Sequence, residues 1–361
     1  MNILWINHRD PKHPFAGGSE IRIRELGKRL VQNGHSVKLV CERWSGSKNV
    51  EFLDGIEVER VAGQYSIHLK VPFLLNNDDY DFVIDDIAHA IPWESRFFTN
   101  KCVIAQVHHV HQEVLKFELN PILANMVAVS ERTIKYYNHI IAVSESTKNA
   151  LVHNLGVSEN KIKVITNGVD AAHYQPSAKA SSPIVLWVGR VKRYKRVDHV
   201  LLAFSLITKQ IPNAKLIIVG HGDYLDNVKK IAGNLHLSNV IFTGAVDEKE
   251  KVSLMASSWV IVASSLTEGW GMTITESAAC GTPAVAYDVA GLRDSIRNNE
   301  TGLLVSNGDL NALAQALLRV LQDEQLRIMF SQNALRWAAE FSWDKVANEF
   351  IAFLELTNNG R

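Results

Sequence analysis

The stretch Glu268-Gly269-Trp270-Gly271-Met272-Thr273-Ile274-Thr275-Glu276 carries the most structural information in this chain. An apolar run, Trp259 to Ala263, precedes it; Gly281-Thr282-Pro283 follows and leads into another apolar run, Ala284 to Tyr287. Glycine followed by proline is how a helix stops. The order is therefore strand, helix, strand, the unit of a parallel α/β sheet. A helix that starts at the end of a strand presents unpaired N–H groups and the positive end of its dipole, which suits phosphate. The glycines let an extended ligand lie against the backbone. Glu276 falls in the first turns of the helix and Glu268 lies outside it. Carboxylates beside a phosphate repel it unless another group needs them. Sugar hydroxyls do, because a carboxylate accepts charge-assisted hydrogen bonds from O–H groups. The stretch predicts a nucleotide-sugar site.

The same half of the chain carries a second anion signal. Directly after the apolar run Ile184–Val188 comes Gly189-Arg190-Val191-Lys192-Arg193-Tyr194-Lys195-Arg196, with five basic residues in seven. Arg190 can fork onto phosphate oxygens and Lys195 can act as a point charge. Further strand candidates in this half are Leu216–Val219, Val240–Phe242, Val260–Ala263 and Ala284–Tyr287. In the first half they are Ile3–Ile6, Val37–Cys41, Phe82–Ile84, Cys102–Val107 and Ile140–Val143, with a helix from about Ser19 to Val31 stopped at Asn33-Gly34. The polar stretch from Gln175 to Pro183, with two prolines, reads as a linker. At 361 residues the chain exceeds one ordinary core. The expectation is a first Rossmann-like domain over 1–172, a linker over 173–182, a second domain over 183–344, and a terminal helical segment, 345–361, returning to the first. In such doubly wound sheets ligands bind at the carboxyl ends of the strands.

Bulk properties exclude several classes. Lys+Arg and Asp+Glu each number 38, so no global field draws nucleic acid or anionic lipid. Cys41, Cys102 and Cys280 are odd in number and widely spaced, which points to a reducing cytoplasm and away from a metal-ligand set. No apolar run approaches about 18 residues, so no transmembrane segment is expected. The Ile3–Ile6 run reads as a first strand, not a secretory leader.

Other motifs carry competing readings. Gly17-Gly18-Ser19-Glu20, between the first strand and first helix, allows close backbone approach but is not a dinucleotide fingerprint. Gly220-His221-Gly222 is a fragment of one that lacks its third glycine. His108-His109-Val110-His111 follows the strand Cys102–Val107; with no acidic or cysteine partner at ligand spacing, a strand-end histidine facing a ligand outweighs a metal site. His108 comes first off the strand, and His109 and His111 remain competitors. Asp79-Tyr80-Asp81 precedes a strand and reads as a turn. Ser144-Glu145-Ser146-Thr147 reads as a helix cap.

Taken together, these residues resemble the retaining nucleotide-sugar glycosyltransferases of the large family-4 type, which have the GT-B fold. The likeness runs from Gly17-Gly18-Ser19-Glu20 through His108, Ser144-Glu145-Ser146, Asn167-Gly168-Val169-Asp170, Arg190 with Lys195, and Glu268 with Glu276, to Thr301-Gly302-Leu303-Leu304. The resemblance implies two doubly wound Rossmann-like domains facing a cleft, with a C-terminal helix crossing back to the first. It implies that Arg190 and Lys195 grip the donor diphosphate and that Glu276 binds ribose hydroxyls. Glu268 and the amides of Trp270 and Gly271 would hold the transferred sugar. The amides of Met272 and Thr273 would touch phosphate, Gly17 and Gly18 would approach it from the other domain, and His108 would lie against the donor sugar. No cofactor and no metal is implied, because the cations replace one. The expected partners are a nucleoside-diphosphate sugar and a carbohydrate or lipid-linked acceptor, the latter leaving room for peripheral membrane contact on the cytoplasmic face. A sugar-nucleotide epimerase of this architecture and a non-catalytic nucleotide-sugar binder are the alternatives.

Overall fold

The computed structural model describes residues 1–75 and 79–359. Residues 76–78 of the expected first domain and 360–361 of the terminal segment lie outside that range. The chain divides into two compact units, Met1–Gly168 with Trp343–Arg361, and Val169–Ser342.

The first unit is built on an eight-stranded sheet of order β3-β4-β2-β1-β5-β6-β7-β8. Its strands are β1 (Asn2–Ile6), β2 (Ser36–Glu42), β3 (Val50–Leu53), β4 (Ile56–Ala62), β5 (Phe82–Ile87), β6 (Cys102–Val107), β7 (His139–Ala142) and β8 (Ile162–Val164). All pairs are parallel except β3 with β4. Every residue of β5 and β6 is buried, as central strands of a sheet covered on both faces are, and the polar ones, Asp85, Asp86 and Gln106, are hydrogen-bonded. The β3–β4 hairpin was not among the expected strands. Its alternating charges (Glu51, Glu57, Glu59) hide the apolar period, and Asp54-Gly55 turns it with φ of +51° and +87°.

The second unit has an all-parallel six-stranded sheet of order β11-β10-β9-β12-β13-β14. These strands are β9 (Ile184–Val188), β10 (Lys215–Val219), β11 (Val240–Gly244), β12 (Val260–Ala263), β13 (Ala284–Tyr287) and β14 (Gly302–Val305). The stretch 173–182 lies against this unit: Tyr174 is buried, Ala180 N donates to the Ser257 carbonyl, and Lys179 Nζ reaches the Ala256 carbonyl at 2.9 Å.

The terminal helix, Trp343–Asn359, belongs to the first unit, as the expectation of a helix crossing back requires. Phe350 stacks on Trp5 of β1 at 5.5 Å, and Asp344 pairs with Arg29 at 2.6 Å. Gly168 makes this docking possible. A Cβ there would sit 2.5 Å from the Trp343 ring.

Candidate functional site

The strand order of the second unit locates its ligand crevice. From β9 the chain winds outward through β10 and β11, then returns to β12 on the other side of β9. The loops leaving β9 and β12 therefore diverge at a topological switch point, where open α/β sheets bind ligands. Those loops are 189–196 and 264–271, the two stretches with the anion and carboxylate signals.

The loops are tied to each other by specific bonds. Leu266 N donates to the Tyr194 carbonyl at 2.8 Å, and Ser264 Oγ lies 2.8 Å from the carbonyls of both Lys195 and Arg196. Lys195 Nζ meets Glu268 Oε1 at 2.5 Å, and Ser265 Oγ donates to the same oxygen at 2.5 Å. Burial pulls the Lys195 ammonium down, but Glu268 more than offsets it, so its pKa lies above the ordinary lysine value and it stays charged. Arg190 is exposed and close enough for its charge to be felt at Lys195. Two neighbouring cations have other employment: Lys192 pairs with Asp223 at 2.6 Å, and Arg196 bonds Asn307 at 2.6 Å.

Three residues beyond Glu268, Gly271 caps the helix Met272–Ala279 with φ +20° and no side-chain acceptor. Its carbonyl takes the N–H groups of Ile274 and Thr275. The amides of Met272 and Thr273, ahead of them, point out of the helix start. Trp270 is buried edge-to-face on Phe341, with its Nε1 lacking a partner.

Glycines that the sequence reading left unassigned hold these loops in place. Gly220, at φ +127°, would put a Cβ 1.9 Å from the Gly189 carbonyl oxygen, and a Cβ on Gly222 would lie 2.2 Å from that of Val191. Val191 N donates to the His221 carbonyl at 2.8 Å, so the Gly220-His221-Gly222 turn carries the Arg190 loop on its back. Gly291, at φ +77°, supports Glu268 likewise, with a Cβ position 2.4 Å from the Glu268 carbonyl oxygen. Gly220→Ala combines a backbone clash with positive φ and is expected to cost about 2–4 kcal/mol. Urea unfolding checks this; a change under about 0.5 kcal/mol, the range of a neutral surface substitution, contradicts it.

Glu276 is buried in the second turn of the Met272–Ala279 helix and belongs to a separate cluster. Lys251 Nζ lies 3.3 Å from Glu276 Oε2 and 2.9 Å from Glu248 Oε1; the Tyr174 hydroxyl donates to Glu248 at 2.5 Å. Burial raises the Glu276 pKa, Lys251 opposes it, and the Glu248 carboxylate adds to the rise.

The remaining candidates lie in the first unit, whose switch point falls between β1 and β5. Gly18 opens the helix Gly18–Gln32 at the end of the β1 loop. The Gly17 N–H is already taken by Glu20 Oε2 at 2.6 Å, and Glu20 Oε1 accepts from buried Asn7 at 3.1 Å. His108, at the end of β6, is 8% exposed and places Nε2 2.7 Å from Asp86 Oδ1. Asp86 Oδ2 accepts from Trp5 Nε1 at 2.9 Å and Gln106 Nε2 at 2.6 Å. Gln106 in turn accepts from the buried Arg22 guanidinium, which also bonds the Asn167 side chain. The partner of Nε2 is a carboxylate, so that nitrogen carries the proton, and Nδ1 of a neutral ring is left as an acceptor. His111 instead sits on Glu131 and the Ala88 carbonyl. His109 packs its ring 3.8 Å from that of His111. Among the described residues, no three His, Cys, Asp or Glu side chains converge as a metal-holding group.

Comparison with known proteins gives this geometry a family. Residues 16–173 match the glycosyltransferase family 4 domain, and residues 170–337 match the domain of group 1 glycosyl transferases. The chain carries the two domains of a GT-B glycosyltransferase. This glycosyltransferase is 25% identical over 365 residues to N-acetyl-alpha-D-glucosaminyl L-malate synthase of Bacillus anthracis, covering 94% of this chain and 93% of the relative. The fold of the sucrose-phosphate synthase of Thermosynechococcus elongatus superposes with a TM-score of 0.85 at 23% identity over 100% of both chains. The HepE protein of Anabaena, solved with UDP-glucose, gives 0.79 at 20% identity, covering 98% of this chain and 99% of that one. No helix among the described residues is long and apolar enough to cross a membrane.

Proposed function

We propose that this glycosyltransferase moves a hexosyl group from a nucleoside-diphosphate sugar to an acceptor hydroxyl with retention of configuration, in glycan, polysaccharide or glycolipid assembly. The observation that carries the reading is the Lys195–Glu268 pair at the second unit's switch point, where the Glu268 loop runs directly into a helix start with no side-chain cap. A cation for phosphate and a carboxylate for hydroxyls, held in contact, match a ligand in which phosphate and sugar are joined at one carbon.

In the reaction, the bond between the anomeric carbon and the diphosphate oxygen breaks as the bond to the acceptor oxygen forms. The acceptor proton passes to the leaving phosphate. Negative charge grows on the diphosphate, and Arg190, Lys195 and the amides of Met272 and Thr273 are preorganised donors where it grows. On this reading they take the place of a divalent metal. Glu268 and the amides of Trp270 and Gly271 hold the sugar's hydroxyls, and Gly17, Gly18 and the Nδ1 acceptor of His108 are assigned to donor binding by the family resemblance. Both Glu268 and Glu276 have hydroxyl-holding roles, so attack occurs on the leaving group's face through an oxocarbenium-like state. The reading places the chain in the cytoplasm, meeting the inner membrane face when its acceptor is lipid-linked.

The test begins with a thermal-shift screen of nucleoside diphosphates and their sugars, since binding stabilises the folded state by mass action. Candidate acceptors are then added with the donor that binds, and the anomeric proton of the product is followed by NMR. Transfer with the donor's configuration is expected. Inverted product removes retention. Epimerised donor without transfer, or tight binding with neither hydrolysis nor transfer, removes the transferase reading.

A further inference from the structure

Glu276 is a carboxylate that burial disfavours, and it shares its surroundings with a second carboxylate, Glu248. One ammonium serves both: Lys251 Nζ stands 2.9 Å from Glu248 and 3.3 Å from Glu276. The Tyr174 hydroxyl stands beside both carboxylates and donates its one proton to Glu248 at 2.5 Å. His173 Nε2 adds a 3.5 Å contact to Glu248. Lys251 and Tyr174 are both set deep enough to have little rotamer freedom: the Lys251 side chain is 15% exposed and Tyr174 is 7% exposed. Its ammonium also lies 5.1 Å from the Tyr174 ring centroid, which braces the pair from a third direction.

Glu276 Oε2 is buried and has no hydrogen bond of good geometry. Lys251 restrains this carboxylate electrostatically while leaving its hydrogen-bond capacity unspent. A carboxylate with unspent acceptor sites has use for a ligand that brings hydroxyl donors. A group supported only by longer contacts is also one whose direction depends on its supports. Glu248, which takes the shorter bonds from both Tyr174 and Lys251, pins them in position.

We infer that Tyr174 and Lys251, pinned by Glu248, are positioning residues that aim Glu276 at the vicinal hydroxyls of the donor's ribose and so make the site select ribonucleotides over deoxyribonucleotides. The inference rests on the proposed donor site and deepens it. Neither residue touches the transferred sugar or the diphosphate on this account. Their effect is on donor affinity through the ribose alone, and turnover at saturating donor changes little.

The experiment measures dissociation constants of UDP and of 2′-deoxy- and 3′-deoxy-UDP for the wild type, Tyr174→Phe, Lys251→Gln and Lys251→Arg, with GDP and its deoxy forms replacing UDP if GDP is what the wild type binds. A charge-assisted hydrogen bond in a partly buried site predicts wild-type preference for the ribose form of roughly 10- to 100-fold. Tyr174→Phe and Lys251→Gln are expected to shrink that ratio to within about 3-fold by weakening the ribose form only, with kcat nearly unchanged, and Lys251→Arg to restore most of it. Retention of the wild-type ratio in both variants, or equal loss of affinity for both forms, overturns the positioning role and leaves the donor site standing. A wild type that binds the ribose and deoxy forms alike removes Glu276 from the ribose, and a wild type that binds no diphosphate removes the donor site; either result overturns the inference too.

Discussion

Replacing Lys195 by alanine is expected to lower kcat by roughly 10²–10³, the usual loss when one preorganised donor to a developing oxyanion is removed. The effect follows from where the ammonium is held. Its loop is pinned by Ser264 to the loop of Glu268, and its nitrogen is fixed on the Glu268 carboxylate at 2.5 Å. It therefore needs no reorganisation when the leaving diphosphate takes on charge. The loss in stability is a separate quantity: the two side chains are 17% and 21% exposed, so water screens the pair only in part and its removal costs on the order of 1–3 kcal/mol. Lys195→Arg should recover little, because on the proposed reading a planar fork would have to replace a point charge seated between Glu268 and a phosphate. Arg190→Ala should show the same rate loss with stability within about 0.5 kcal/mol, since Arg190 is exposed. Steady-state kinetics with a saturating donor, alongside thermal melts of each variant, separate the two effects. Near-wild-type kcat for Lys195→Ala would place the diphosphate elsewhere.

The parts of this site that were legible in the sequence are those whose chemistry is local. A glycine-rich strand exit, a run of cations after β9 and a carboxylate on either side of a helix start each declare themselves within ten residues. The assignments that needed the structure depend on contacts distant in sequence. Lys192, Lys195 and Arg196 look alike in sequence, and what distinguishes Lys195 is that Asp223 and Asn307 occupy the other two. Asp86 lies inside an apolar strand, Phe82–Ile87, and only the three-dimensional pairing of β5 with β6 brings it to His108. The Gly220-His221-Gly222 turn carried a misleading signal. Its glycines resemble part of a nucleotide fingerprint, yet the backbone of the Arg190 loop passes 1.9 Å and 2.2 Å from where a Cβ on Gly220 and on Gly222 would be, which leaves no room for a side chain. Tyr174 follows the passage from one unit to the other, in a segment whose polarity suggested a linker, and its hydroxyl instead supports a buried carboxylate cluster.

Asp86→Ala is expected to be the most destabilising single change near the first unit's candidate residues, by about 3–5 kcal/mol. Burial already pulls the Arg22 pKa down to about 10, and the Asp86 charge is what opposes it. Without Asp86 the guanidinium is left buried with only neutral partners, and Trp5, Gln106 and His108 each lose an acceptor. At about 2–4 °C per kcal/mol for a domain of this size, the melting midpoint should drop by roughly 6–20 °C. Asp86→Asn separates this structural role from the chemical one. Its amide oxygen can still accept from Trp5 and Gln106, but its NH₂ group would then face His108 Nε2 and force that nitrogen to become the acceptor. The ring proton moves to Nδ1, which changes from acceptor to donor, and on the proposed reading this is the nitrogen that serves the donor sugar. Asp86→Asn should therefore keep more of the wild-type stability than Asp86→Ala while losing turnover by at least about tenfold, the smallest loss that one hydrogen bond of about 1.4 kcal/mol in the transition state would give. His108→Ala should lower turnover by a similar factor, and adding it to Asp86→Asn should cost little more, because both changes remove one function. Additive losses in that double variant would mean that Asp86 reaches the reaction by some route other than the histidine.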